Sequence, residues 1–256
     1  MTYTFGDSAI ASERLRIVAE TMEGPARALL ARVETSPITR VVDLGCGPGH
    51  TTRMLADVFP DATLTGVDAS SRYFTEAAAN AGPRCRFVLG DVTVEPVPGT
   101  PADLVYARYL LSHLGDTAAH IERWCRALTP GGSLVLEEPE SIRSTDGDFA
   151  RYEAISTALV QAAGGVFYAG PHIAAAPTPA GFLRAYDDAV PIEVTAGEAA
   201  AMFWRNARAW HPDALERAGV DVLEVQALAA RLRTRENDPT PGLFDWRQRQ
   251  SIFTRI

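Results

Sequence analysis

The chain has 256 residues, 46% of them hydrophobic and 22% charged, which suits one sizeable domain with an elaborated segment and excludes disorder for its bulk. The formal net charge is −8, from 32 acidic and 24 basic residues, and such a surface disfavours general nucleic-acid binding because it repels a phosphate backbone. All 24 basic residues are arginine, so Schiff-base lysine chemistry and the phosphate-binding lysine of a P-loop are both excluded.

The N-terminal stretch 8–34 reads as helix, broken at Gly24-Pro25. Strand and helix then alternate. Strands are expected at Arg40–Leu44, Thr63–Val67, Arg86–Leu89, Asp103–Tyr106 and Ser133–Glu137, with helices at Thr51–Val58, Ser71–Asn80 and Asp116–Leu128. Short apolar runs such as VVDL and SLVLE suit strands covered on both faces, so the fold class is α/β with a parallel, doubly wound sheet. Past residue 140 the rhythm changes. A longer helix is expected at Asp146–Ala163, a Pro-rich loop at 171–182, a strand at Ala189–Thr195, helices around 197–209 and 219–235, and a closing strand at Asp245–Arg255. The second half thus reads as a sheet completed by two strands, with helices inserted between them.

Cys46, Cys85 and Cys125 are widely spaced and match no CxxC pattern, which points to a reducing compartment without a disulfide frame or cysteine zinc site. No signal-peptide core and no run of ~20 apolar residues is present, so a soluble, cytoplasmic chain is expected. His120 and His211 have no partner pattern that supports a metal.

The strongest local signal is VVDLGCGPGHTT at 41–52. A buried strand runs into Gly45-Cys46-Gly47-Pro48-Gly49 and a helix opens just after. Glycines there permit positive φ and close approach of a ligand to backbone, and the helix start offers N–H donors to a carboxylate or phosphate. A dinucleotide fingerprint needs a third glycine where this chain has His50, so GxGxxG fails and DxGxGxG stands, with Asp43 leading it. A carboxylate about 20 residues on, at the end of the second strand, is placed to accept ribose hydroxyls. Asp68 in VDA fills that position, and as a helix cap it would need no ligand.

Together with Gly90-Asp91-Val92, ADLVYARYLLSHL at 102–114 and LTPGGSLVLEEP at 128–139, these segments resemble, in order, the motifs of class I S-adenosylmethionine-dependent methyltransferases of the small-molecule type. The resemblance covers roughly residues 38–140. It implies a Rossmann-like seven-stranded sheet with the last strand antiparallel, an N-terminal helical cap over 1–37, and a methyltransferase domain over 38–256. Within that domain, 38–140 would hold the cofactor and 141–256 the substrate and lid. The implied cofactor is S-adenosyl-L-methionine, with S-adenosyl-L-homocysteine as product. The cofactor contacts would be Gly45, Cys46, Gly47, Gly49, Asp68, Ala69, Asp91, Val92 and Arg108, with Tyr3 and Arg14 closing from the cap. Asp91 as a plain turn residue, and Arg14 as a surface arginine, are the competing readings.

Methyl transfer from a sulfonium is an in-line displacement, and a protein base is needed only where the nucleophile must lose a proton early. His113 is the best-placed base and equally a structural polar residue. Glu137, Glu138 and Glu140 follow the fifth strand, where Glu138 could assist proton removal and Glu140 could contact substrate, or all three could form a solvated rim. Tyr109, Tyr168, His172 and Trp204 are the further candidate substrate contacts, although aromatic clusters such as FWRNARAW also make plain core. The partner expected is a small molecule of secondary metabolism with acceptor atom open. A homodimer is left open, and neither nucleic acid nor membrane is expected. The alternatives are an NAD(P)-dependent oxidoreductase, weakened by His50 and by the absence of a Tyr-x-x-x-Lys pair, and a non-catalytic S-adenosylmethionine-binding subunit.

Overall fold

The computed structural model describes residues 7–33 and 37–256, so the contact expected of Tyr3 lies outside the described residues. Helix α1 (Ala9–Thr21) starts at Ser8, whose hydroxyl accepts the Ala11 N–H, and it stops at Met22, where α2 (Glu23–Leu30) begins. The break therefore falls just before Gly24-Pro25. Those residues sit in the first turn of α2, where a missing proline N–H costs nothing.

The alternating core follows as β1 (Arg40–Leu44), α3 (His50–Val58), β2 (Thr63–Asp68), α4 (Ser71–Ala79), β3 (Cys85–Leu89), β4 (Ala102–Arg108), a 3-10 turn (Leu111–His113), α5 (Thr117–Arg126) and β5 (Leu128–Ser144). The second half comprises α6 (Gly147–Ala162), α7 (Gly170–Ala175), β6 (Phe182–Pro191), α8 (Ala196–Ala209), α9 (Pro212–Arg217), α10 (Val222–Thr234) and β7 (Phe244–Arg255). The strands form one seven-stranded sheet in the order β3-β2-β1-β4-β5-β7-β6, parallel except for β7, which runs antiparallel to both β5 and β6. Strand order reverses between β1 and β4, and the crevice outside their carboxyl ends is where such sheets take ligands.

Alternation along each strand divides the core between two faces. On one, Val42, Leu44, Val105, Leu134, Leu136 and Phe253 pack against Ile121 and Trp124 of α5 and Ile173 of α7. On the other, Val41, Leu104, Tyr106, Val135 and Ile252 meet Leu29 and Leu30 of α2 and Leu55 of α3. A third cluster is aromatic. Tyr152 stacks on Phe203 at 4.0 Å and on Trp210 at 5.5 Å, and Phe203 stacks on Trp246 at 5.8 Å, joining α6 and α8 to the outer end of β7. Phe203 and Trp210, at 4% and 5% exposed, are therefore core. Helix α1 packs against α8 and α3, which lays it across the crevice end of the sheet.

Four expectations need correction. The stretch 171–182 is not all loop: α7 occupies Gly170–Ala175, with Pro171 in its first turn, a position where proline favours a helix. The sixth strand starts at Phe182 and ends at Pro191, because as an edge strand it tolerates the polar Asp187-Asp188 pair that hid it. The fifth strand runs from Leu128 to Ser144, well past Ser133–Glu137 at both ends, because antiparallel pairing with β7 continues beyond the parallel sheet. A short helix, α9, precedes α10 and is capped by His211. No helix among the described residues is long and apolar enough to cross a membrane.

Phe253 is fully buried where β7 meets β5, so Phe253→Ala is expected to cost about 3–5 kcal/mol of unfolding free energy, read from urea denaturation.

Candidate functional site

Strand β1 delivers the chain into Gly45, Gly47 and Gly49, all at positive φ (67°, 52° and 83°). Space also demands glycine at two of them. A Cβ on Gly45 would lie 2.9 Å from Leu110 Cδ1, and one on Gly49 would lie 2.8 Å from Phe87 Cζ. Helix α3 opens on Gly49 with no side-chain cap, so its first N–H groups stay available to an anion. Asp43, 2% exposed, accepts a 2.6 Å hydrogen bond from the Thr52 hydroxyl, and burial pushes its carboxyl up to about 7.

Asp68 is not the cap of the following helix. The N-cap of α4 is Ser70, whereas Asp68 Oδ2 accepts the Gly47 N–H at 2.8 Å and Oδ1 accepts the Ser70 N–H at 2.8 Å. The carboxylate thus ties the end of β2 to the glycine turn 21 residues upstream. Its neighbour Ala69 is exposed at the same rim. Asp91 is exposed after β3, and Oδ1 accepts both the N–H (2.8 Å) and the hydroxyl (2.6 Å) of Thr93, which holds its carboxyl below the usual range. Val92, 7% exposed, packs in the core beside Trp124, whose indole N–H donates to its carbonyl at 3.0 Å.

Strand β4 ends in Arg108-Tyr109-Leu110. Arg108 Nη2 donates to Thr51 Oγ1 at 2.8 Å, while Nη1 is buried and finds no acceptor among the described residues. It lines a cavity of about 110 Å³ between α1 and α3, bounded also by Arg16, Glu20, His50 and Thr51. Tyr109 has φ 54°, the one non-glycine residue among those described in the left-handed region, where a side chain costs on the order of 1–3 kcal/mol. Its N–H donates to the Glu137 carbonyl at 2.9 Å and its hydroxyl to Gln248 Oε1 at 2.7 Å.

Two adjacent glutamates of β5, each 0% exposed, hold this bend. Glu137 accepts from the Tyr106 hydroxyl, from Gln248 Nε2 at 2.8 Å and from Gln250 Nε2 at 2.7 Å. Glu138 accepts the N–H groups of Leu110 (2.6 Å), Leu111 (2.7 Å) and Ser112 (3.4 Å), and burial raises its carboxyl to about 8. In this structure Glu138 is therefore engaged with the backbone turn. Sequence reasoning missed Gln248 and Gln250. The available signal was a pair of glutamines alternating with arginines in a strand otherwise expected to be buried.

Arg14 of α1 is 7% exposed and faces His113 and Tyr152, both of which feel its charge. Helix α1 is moored nearby, where the Ser12 hydroxyl donates to Glu76 Oε2 at 2.7 Å and the Ser70 hydroxyl donates to Asp7 Oδ2 at 2.8 Å. Burial first, then Arg14, lowers the His113 imidazole to about 4, so the ring is neutral through the physiological range and is a weak base.

The other expected substrate contacts are drawn elsewhere. Glu140 forms a two-pronged ion pair with Arg249 at 2.8 and 2.9 Å. The Tyr168 hydroxyl donates to Glu153 Oε1 at 2.6 Å, His172 is exposed on α7, and the Trp204 ring lies under Arg205 and Arg233 at 4.4 and 5.5 Å. Tyr168 and Trp204 border the same apolar cluster as Tyr109.

His113 gives a pH prediction. A free imidazole takes a proton near pH 6.5 and the folded one near 4, so between those values the unfolded chain binds a proton that the native state lacks. Stability is thus lost as pH falls from 6.5 to 4. The melting temperature of His113→Asn is expected to fall less over that window than that of the wild type, and parallel curves would place the ring in solvent.

Residues 41–132 match a family described as a methyltransferase domain. A trans-aconitate 2-methyltransferase from Paracidovorax citrulli is 42% identical over 118 residues, 46% of this chain and 45% of that one. Its counterpart from Deinococcus radiodurans is 32% identical over 182 residues, 69% of this chain and 67% of that one. The chain thus spans a little under half the length of the first of these relatives. Among solved structures, coclaurine N-methyltransferase covers 91% of this chain at TM-score 0.56 and 12% identity, with 72% of its own chain matched. A cyclopropane synthase from Mycobacterium tuberculosis also covers 91%, at TM-score 0.58 and 16% identity, with 83% of its chain matched. Those two show the fold alone. The sequence relatives, the order of the sheet and the Asp68-braced glycine turn together place the chain among the class I S-adenosylmethionine-dependent methyltransferases.

Proposed function

We propose that this chain transfers a methyl group from S-adenosylmethionine to a carboxylate oxygen of a small, polyanionic metabolite. The observation that carries the donor half is the Asp68 bridge, which holds a carboxylate at the ribose position and a bare glycine turn at the amino-acid position in one crevice. The residues present fit the cofactor. The uncapped start of α3 and the buried Nη1 of Arg108 both offer donors to its carboxylate, and Asp91 stands at the adenine end. S-adenosylmethionine supplies, when bound, a methyl carbon activated by a sulfonium.

The acceptor half rests on charge. Arg14 is a buried cation beside His113, just past the bend after β4, suited to an anionic acceptor. The candidate bases are poor ones: His113 is neutral with little affinity for a proton, and Glu138 accepts three backbone N–H groups. A carboxylate acceptor is already ionised at neutral pH and needs no base, so alignment and exclusion of water by α1 suffice. The relatives named for trans-aconitate, a small tricarboxylate, support this and draw the acceptor away from secondary metabolism. Tyr109 and His113 are the side chains best placed beside it. A contact from Glu140, Tyr168, His172 or Trp204 would require rearrangement of the pairs described above.

Labelled methyl transfer to a panel of di- and tricarboxylates, trans-aconitate included, is expected to give an alkali-labile ester. Label fixed to nitrogen or carbon would overturn the acceptor class. Binding of S-adenosylmethionine without turnover on any acceptor would favour a non-catalytic subunit, and binding of NADH instead would favour an oxidoreductase. In calorimetric titrations, Asp68→Ala is expected to weaken S-adenosylmethionine binding by ~2 kcal/mol, through lost charge-assisted hydrogen bonds and a loosened turn. An unchanged dissociation constant would remove Asp68 from the site.

A further inference from the structure

Tyr109 stands in a backbone conformation that a tyrosine avoids, at the one point where β4 leaves the sheet for the crevice. The bend separates Arg108, which ends the strand, from the residues whose places depend on it. Arg108 turns its guanidinium to Thr51 at the start of α3, and Leu110 lies over Gly45. The N–H groups of Leu110 and Leu111 swing onto Glu138. A negative φ at residue 109 would send the chain beyond it in another direction, and Leu110 and the two N–H groups would leave these places.

The bend is held from both faces of β5. Glu138 secures the backbone just beyond the bend, and Glu137 secures Tyr109 itself. The hydroxyl of Tyr109 donates to Gln248 Oε1, the same amide donates through Nε2 to Glu137 Oε1, and Gln250 donates to that oxygen as well. Gln250 Nε2 also reaches the Pro25 carbonyl at 3.1 Å, just past the junction of α1 and α2. Gln248 and Glu137 are fully buried and Gln250 is 3% exposed. Buried amides and a buried carboxylate are costly unless every partner is supplied, so this chain of bonds is directional and hard to rearrange.

We infer that Tyr109 is a positioning residue for the cofactor site, its left-handed bend set by the Gln248–Glu137 relay from the last strand. The relay touches no reacting atom. It acts by fixing where Leu110 sits against the glycine turn, and it rests on the reading of that turn as the S-adenosylmethionine site.

Glycine adopts φ near 54° without strain, which makes the inference testable by suppression. In titrations with S-adenosylhomocysteine, Gln248→Leu is expected to weaken binding about tenfold, and the milder Tyr109→Phe about threefold. Adding Tyr109→Gly to Gln248→Leu is expected to bring affinity back to within about threefold of wild type, although the double variant melts lower because the ring's packing is gone. A purely structural relay would leave affinity tracking melting temperature. Wild-type affinity in Gln248→Leu, or a double variant no tighter than Gln248→Leu, overturns the inference. Amide exchange at Leu110 and Leu111 reads the bend without any ligand: faster in Gln248→Leu, restored in the double variant. If wild type binds no S-adenosylhomocysteine while this exchange pattern holds, the cofactor reading falls and the relay stands. If exchange at these amides is unchanged by Gln248→Leu, the relay itself falls.

Discussion

The hydrogen bond from the Gly47 N–H to Asp68 ties together the two chain ends on which the crevice is built. A glycine-rich turn has many accessible conformations when unfolded, and ordering it costs about 1–2 kcal/mol per residue in backbone entropy. A half-buried carboxylate that accepts two N–H groups, one from Gly47 and one from Ser70, offsets part of that cost and fixes the spacing between β1 and β2 at their carboxyl ends. Burial raises the Asp68 carboxyl while those N–H groups lower it, so the bridge depends on both bonds being made. Leu110, Phe87 and Leu15 then close on the glycines from three sides, which explains why the turn keeps its shape with no side chains of its own.

Much of this was legible in the sequence because it is local. The strand β1 matches its expected bounds, and α3, α4 and β2 match to within a residue, since their apolar periods and flanking turns are uninterrupted. β3, α6 and β7 match to within a residue as well, and the stretch from α7 to β6 was harder. Strand β6 carries Asp187 and Asp188 because it is an edge, and α7 hides behind a proline that serves as a helix start. The site shows the same division. Asp68 and the glycines follow from spacing along a short stretch, whereas the roles of Glu137 and Gln248 arise from pairing between β5 and β7, 111 residues apart, and that of Glu138 from the turn after β4. No one-dimensional pattern encodes which of two adjacent glutamates meets a glutamine and which meets three backbone amides.

Arginine as the sole cation gives the interior a particular character. A guanidinium stays charged when buried and offers several fixed donors, so Arg14 and Arg108 can stand in the crevice as permanent positive charges. A lysine in either place could shed its proton instead. The carboxylates nearby respond in the opposite way: Asp43 and Glu138 are pushed up by desolvation. Fixed cations beside reluctant anions are the charge balance on which the proposal of an anionic acceptor rests.

The segment shared with the methyltransferase domain family ends at residue 132 and begins at residue 41. Within it lie the glycine turn, Asp68, Asp91, Arg108, Tyr109 and His113. Outside it lie Arg14 on α1, Glu137 and Glu138 on β5, and Gln248 and Gln250 on β7. The family match thus holds the residues proposed to bind the donor, while Arg14 and the Glu137, Gln248 and Gln250 relay that sets the bend lie beyond it. Helix α2 and strand β7, from opposite ends of the sequence, meet through the Pro25 carbonyl and Gln250. Substitutions that retune the acceptor without disturbing donor binding are accordingly to be sought on α1 rather than in the turn, because Arg14 faces His113 across the crevice and leaves the Asp68 bridge untouched.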